Sequence, residues 1–135
     1  MMRLEDIHVV FNEHTPLENV ALKKINLTIR EGEFVTVIGT NGAGKSTLLN
    51  VVSGNAETTS GKIFINEEDV TTKSVSDRAR LVARVFQDPM TGTCESLTIE
   101  ENLALAYGRG NKSSGFGAAI NKDRREIFRA HLATL

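Results

Sequence analysis

The spacing of apolar positions changes repeatedly along this chain, and each change predicts a new element. Leu4–Phe11 and Leu22–Arg30 read as strands. In the second, Leu22, Ile25, Leu27 and Ile29 stand against Lys23, Lys24, Asn26, Thr28 and Arg30, the alternation of a half-buried strand. The segment 12–19 between them is polar and holds Pro16, which predicts a turn. Glu31-Gly32 turns the chain into Glu33-Phe-Val-Thr-Val-Ile38. This short apolar run, rich in β-branched residues, is what a buried parallel strand requires. Lys45–Ser53 then takes helical spacing and stops at Gly54, the glycine expected just past a helix end.

The second half alternates between short elements and polar connections. Asn55–Gly61 is a Ser/Thr/Gly loop, Lys62–Ile65 a short strand and Asn66–Asp69 a turn. Asn66 in that turn tolerates the left-handed conformation. Ser74 or Ser76 caps a short helix carrying Asp77, Arg78 and Arg80. Leu81–Phe86 is a further strand. Thr98–Tyr107 reads as a helix capped by Thr98, with Glu100 and Glu101 in its first turn and Ile99, Leu103 and Ala106 on one face. Glycines at 108, 110, 115 and 117 predict a flexible connection over 108–117. Helical spacing resumes over 121–135, with Asn121 as cap, Ile120, Ile127, Phe128 and Leu132 as apolar positions, and Lys122–Glu126 as a solvated face. No internal repeat is visible.

Composition narrows the function classes. The chain has 135 residues and 40% hydrophobic content, enough for one packed domain. A formal net charge of −1 offers no electrostatic footprint for nucleic acid. No apolar run approaches a membrane span, and Met1-Met2-Arg3-Leu4-Glu5 is not followed by the apolar core of a secretory signal. The single Cys94 excludes an intrachain disulfide, fits a reducing cytosol and reads as a bystander thiol. His8, His14 and His131 are scattered, without metal-ligand spacing.

Residues 39–47 carry the most chemistry. Gly39-Thr40-Asn41-Gly42-Ala43-Gly44-Lys45-Ser46 matches G-x-x-x-x-G-K-[ST], the phosphate-binding P-loop. Gly39, Gly42 and Gly44 let the backbone take positive φ and approach an anion closely. Successive N–H groups then form a cationic nest, reinforced by the positive end of the following helix. Lys45 brings a point charge to the β- and γ-phosphates, and the Ser46 hydroxyl suits Mg²⁺. The order strand, loop, helix is the context the motif needs. The competing reading is a glycine-rich turn in an unrelated α/β protein.

Taken with these flanks, the chain resembles the ATP-binding subunits of ABC transporters from about Met2 to Tyr107. Three stretches carry the resemblance. They are the lead-in Leu22–Glu33, the P-loop through Leu49, and Val85-Phe86-Gln87-Asp88-Pro89 followed by Ser96-Leu-Thr-Ile-Glu-Glu-Asn-Leu103. The form of the P-loop and Glu101–Tyr107 look like bacterial importers of the amino-acid or sugar kind.

The resemblance implies an α/β fold, a P-loop NTPase core with an N-terminal antiparallel β subdomain. Residues 1–107 would form that subdomain and core, and 108–135 the start of a helical subdomain. It implies ATP and Mg²⁺ as ligands. Gln87 matches the family's Q-loop glutamine, which reaches Mg²⁺ and the attacking water and hinges the site to the membrane partner. Its alternative is a solvated residue after a strand. Phe11 matches the aromatic that stacks on adenine, and its alternative is a core or strand-end aromatic. Asn41 and Thr47 extend the phosphate cradle, while Leu48, Leu49, Val51 and Val52 are core. Arg78 receives no chemistry.

The family's remaining parts are not in this sequence. No Leu-Ser-Gly-Gly-Gln signature occurs, and no apolar strand ending in Asp-Glu follows Gln87. His131 stands too close behind Gln87 to be the switch histidine. The resemblance therefore implies a chain that stops inside the helical subdomain, leaves an open sheet edge and binds Mg-ATP with negligible hydrolysis. The implied partners are a transmembrane permease subunit and a second ATP-binding subunit, with no nucleic acid. The implied location is the inner face of the plasma membrane. Two other readings remain: an ABC-type ATPase working away from membranes, which would carry a second cassette or long insertions, and a small-molecule kinase, which would need an acceptor site and a lid.

Overall fold

A computed structural model describes residues 1–108 and 120–134. The connection expected over 108–117 lies outside them apart from Gly108. The chain forms two compact units, Met1–Val82 and Ala83–Leu135.

The first unit is built on an antiparallel sheet in the order β2-β1-β3-β4. Its strands are β1 (Met2–Phe11), β2 (Asn19–Ile29), β3 (Ser60–Ile65) and β4 (Glu68–Asp69). One helix, α1 (Lys45–Ser53), places the fully buried Val51 in the core with Leu4, Ile7, Val9, Leu22, Ile63, Ile65 and Val70. Leu48 and Val52 pack against that core, whereas Leu49, expected inside, is 54% exposed. A nine-residue helix presents one apolar stripe, and Leu49 falls outside it.

Both long strands contain a bulge. The buried positions run Leu4, Ile7, Val9 on β1, a step of three followed by a step of two. A strict period of two would turn Ile7 to the wrong face. The extra residue is absorbed at Asp6, which takes φ 47°, and the pairing register shifts between Leu4 and Ile7. On β2 the same step separates Leu22 from Ile25, and Lys24 takes φ 49°. Asn26 pins the irregularity. Its amide donates to the Asp6 carboxylate at 2.8 Å, and its oxygen accepts from the Asp6 N–H at 2.9 Å.

Two expectations are corrected. Asn66–Asp69 is not all turn. Asn66 and Glu67 take φ 49° and 64°, the geometry of a two-residue hairpin, and Glu68–Asp69 pairs with Phe64–Ile65. The apolar runs 33–38 and 81–86 join no ladder among the described residues. A strand is defined by its neighbours, and without one Phe34 is 93% and Ile38 89% exposed. Ser74, rather than Ser76, caps the short α2 (Val75–Arg78), accepting from the Asp77 N–H.

The second unit contains α3 (Ile99–Tyr107) and α4 (Lys122–Leu132). Thr98 and Glu101 close a reciprocal capping box, and Asn121 accepts from the Arg124 N–H at the start of α4. Tyr107 and Phe128 meet edge to face at 5.8 Å, and Glu100 pairs with Arg125.

Two outcomes are expected. Ile63→Ala removes a fully buried side chain under the sheet. It should cost about 2–5 kcal/mol, read as a lower urea midpoint for the first unit. The Thr98 backbone and side-chain hydrogen bonds hold the Glu101 carboxyl below the ordinary glutamate value. Its contribution to α3 is thus complete above the unfolded-state value and is lost as pH falls through the lowered one. Helicity followed by circular dichroism should decline across that window, and Glu101→Gln, which removes the titrating carboxyl, should abolish this part of the decline.

Candidate functional site: the P-loop and its supports

Gly39–Thr47 leads into α1. Gly42 and Gly44 take φ 82° and 84°, as the cradle requires. Gly39 does not take positive φ. Its lack of a side chain serves a close approach instead, since a Cβ there would sit 3.1 Å from the Ala43 Cβ. A Cβ on Gly44 would come within 2.6 Å of the Ala21 carbonyl and 3.0 Å of the Leu22 side chain. The loop thus rests directly on β2. A Cβ on Gly42 would meet nothing within 4 Å, so the other side of the loop is open.

Lys45 is the hub of the loop. Its ammonium donates to the carbonyls of Gly39 and Thr40, both at 2.7 Å. An ammonium has three N–H donors, so one more direction remains for an oxygen ligand. The N-terminus of α1 has no side-chain cap and no acidic residue in its first turn. Its positive end is therefore not neutralised from within the helix, the condition for holding an anion. The Ser46 side chain is exposed at that end, and Thr47 is half-buried beside it. Thr40, Asn41 and Ala43 form the exposed part of the loop. Phe11 closes β1 opposite Asn19 and is 42% exposed, consistent with a presented ring rather than a core one.

Arg78 is the residue that sequence reading missed. It is 2% exposed, and its guanidinium reaches the C-terminal carbonyls of α1. The sequence holds only a negative sign, no acidic residue at helical spacing that would make it a surface pair, and nothing that points to its carbonyl partners.

Gln87 belongs to the second unit and is exposed. Phe11 and Gly39–Thr47 belong to the first. Next to Gln87, the Asp88 carboxylate accepts from the Met90 N–H at 2.9 Å and starts a 3-10 turn over Pro89–Gly92. Arg84 lies over the Phe86 ring at 4.6 Å. Asn102 organises the following loop. Its oxygen accepts from the Cys94 N–H at 2.9 Å, and its amide donates to the carbonyls of Cys94, Leu97 and Thr98 at 3.1–3.2 Å. A groove of about 610 Å³ runs beside that loop, lined by Met90, Cys94, Leu97, Leu103 and Ala106 among others.

Comparison with known proteins gives one answer. Residues 22–134 match the ABC transporter family. A tyrosine transport ATP-binding protein of Clostridioides difficile is 40% identical over 110 residues, covering 82% of this chain and 44% of the relative. An energy-coupling factor transporter ATP-binding protein, EcfA2, of Caldanaerobacter subterraneus subsp. tengcongensis is 39% identical over 112 residues, covering 82% of this chain and 38% of its own. Among solved structures, the dimeric post-hydrolysis state of the ATP-binding cassette MJ0796 bound to ADP and Pi superposes with a TM-score of 0.76 at 25% identity. That match covers 96% of this chain and 55% of the other. The chain thus spans about half the length of the proteins it matches, or less. Its P-loop, antiparallel β subdomain and helical segments are those of a P-loop NTPase cassette, and the chain belongs to the ABC transporter family.

Proposed function

We propose that this chain supplies the Mg-ATP-binding part of an ABC transporter ATPase subunit, with 1–107 as β subdomain and P-loop core and 108–135 as the start of a helical subdomain. The observation that carries the proposal is the P-loop itself. Gly42 and Gly44 take the required backbone, Lys45 is held over the loop by two carbonyls, and the uncapped end of α1 lies behind it. That donor set suits a polyphosphate: main-chain N–H groups, one ammonium and a helix N-terminus.

In this reading Gly39, Thr40, Asn41, Gly42, Ala43, Gly44, Lys45, Ser46 and Thr47 hold the phosphates. Ser46 and Gln87 hold Mg²⁺, and Phe11 stacks on adenine. Bound Mg²⁺ would supply charge neutralisation on the phosphates. Lys45 and Gln87 are the catalytic side chains of a complete ATPase, which would couple hydrolysis to transport. No carboxylate in this chain matches the family's water-activating glutamate, so the chain alone would bind ATP and hydrolyse it negligibly.

A second ATP-binding subunit and a transmembrane permease are the proposed partners, and the groove beside Asn102 offers the permease an apolar surface. No helix among the described residues is long and apolar enough to cross a membrane. Attachment at the inner face of the plasma membrane would therefore run through the permease. The names of the relatives, for tyrosine transport, energy-coupling factor transport and spermidine/putrescine import, favour an importer over an ATPase working away from membranes.

Titration calorimetry with Mg-ATP tests the reading. Binding to the 135-residue chain is expected, and Lys45→Ala should weaken it by about 2 kcal/mol, roughly thirtyfold, the worth of a charge-assisted contact. Equal binding by both proteins would show that the P-loop is not the site. Phosphate release should stay at background, and a turnover that disappears with Lys45→Ala would overturn the claim that this chain lacks hydrolysis.

A further inference from the structure

Arg78 joins the two ends of the problem. Its Nη1 donates to the carbonyls of Val51 at 2.6 Å and Val52 at 3.0 Å. Nη2 donates to Thr71 at 3.0 Å and Nε to Lys73 at 3.0 Å. Val51 and Val52 lie in the last turn of α1, where carbonyls lack the usual partner four residues on, although Val51 also accepts from the Gly54 N–H at 3.2 Å. Lys45, Ser46 and Thr47 form its first turn. One guanidinium therefore fixes the far end of the helix whose near end carries the phosphate-binding groups.

Two further observations set this arrangement apart from an ordinary surface cap. The last turn of α1 contains no basic residue, so the cation facing its negative end comes from Arg78, 26 and 27 residues away in sequence. Gly54, which ends α1 at φ 84°, also makes room for it. A Cβ there would lie 3.2 Å from Arg78 Nε and 3.3 Å from its Cδ. The fork geometry matters, because four carbonyls spread over two segments exceed the three donors of a lysine ammonium.

We propose that Arg78 is a positioning residue for the phosphate site, setting through α1 where Lys45, Ser46 and Thr47 stand. Nine residues of helix form a rod of about 13 Å, too short to bend away a displacement at one end. The inference rests on the Mg-ATP reading above and adds a residue that does not touch the nucleotide.

The test is calorimetry on the 135-residue chain with Mg-ATP and, separately, inorganic tripolyphosphate, below the melting onset of each variant. Arg78→Lys should keep the wild-type circular dichroism and bind both ligands roughly three- to tenfold more weakly. Arg78→Met should lose more. Phe11→Ala serves as contrast: it should weaken ATP but leave tripolyphosphate unchanged. Wild-type affinity for both ligands in Arg78→Lys, even with a lower melting temperature, would overturn the proposal and leave Arg78 a purely structural cap. A loss confined to ATP would overturn it as well. If Arg78→Met does not fold, Arg78→Lys decides alone. A wild-type chain that binds neither ligand would instead strike down the Mg-ATP reading itself, together with what rests on it.

Discussion

One buried cation holds the first unit together where helix, hairpin and loop converge. A charge taken out of water is costly unless its hydrogen-bonding capacity is met. Arg78 meets it with main-chain carbonyls from α1, from Thr71 and from Lys73. Burial pushes the guanidinium below the ordinary arginine value, yet an arginine so placed stays charged at neutral pH. The arrangement solves two problems at once. The last carbonyls of α1 gain donors, and the segment after β4 is tied back onto the helix.

The opposite end of α1 depends on absence of bulk. Gly44 lets the P-loop settle on the Ala21 carbonyl of β2, a contact any side chain would prevent. That contact seats the loop on β2. The bulges at Asp6 and Lys24 lie in the same sheet. They keep Leu4, Ile7, Val9, Leu22 and Ile25 on the core side while the strands bend. The loop is thus fixed by packing from below and by Lys45 from within.

The second unit is organised more by polar side chains than by a core. Among its described residues, Ala104 and Phe128 are the buried apolar ones. Order comes from the Thr98–Glu101 capping box, the Asn121 cap and the four hydrogen bonds of Asn102. These are local devices, each spanning a few residues, and they give partners to helix-end and loop groups that the helices themselves leave unpaired. The apolar runs 33–38 and 81–86 are the contrasting case. Their composition suits a covered parallel strand, and that state requires neighbours on both sides.

What the sequence determined by itself was most of what depends on near neighbours. The P-loop is legible because its chemistry lies within nine consecutive positions, Gly39–Thr47. The helix caps at Thr98 and Asn121, the stop at Gly54 and the left-handed Asn66 are legible because each rests on one residue's local preference, whereas the choice of Ser74 over Ser76 came with the structure. Tertiary structure decided what depends on distant partners. Whether 33–38 pairs as a strand turns on neighbours that its own composition does not contain. The bulges could have been read from the three-residue steps in β1 and β2, but the pin at Asn26 needs both strands side by side. Arg78 received no chemistry from the sequence because its partners are carbonyls, and every residue has a carbonyl. Only the fold brings those of Val51 and Val52 to its guanidinium, because a hydrogen bond across 26 residues leaves no mark on local sequence pattern.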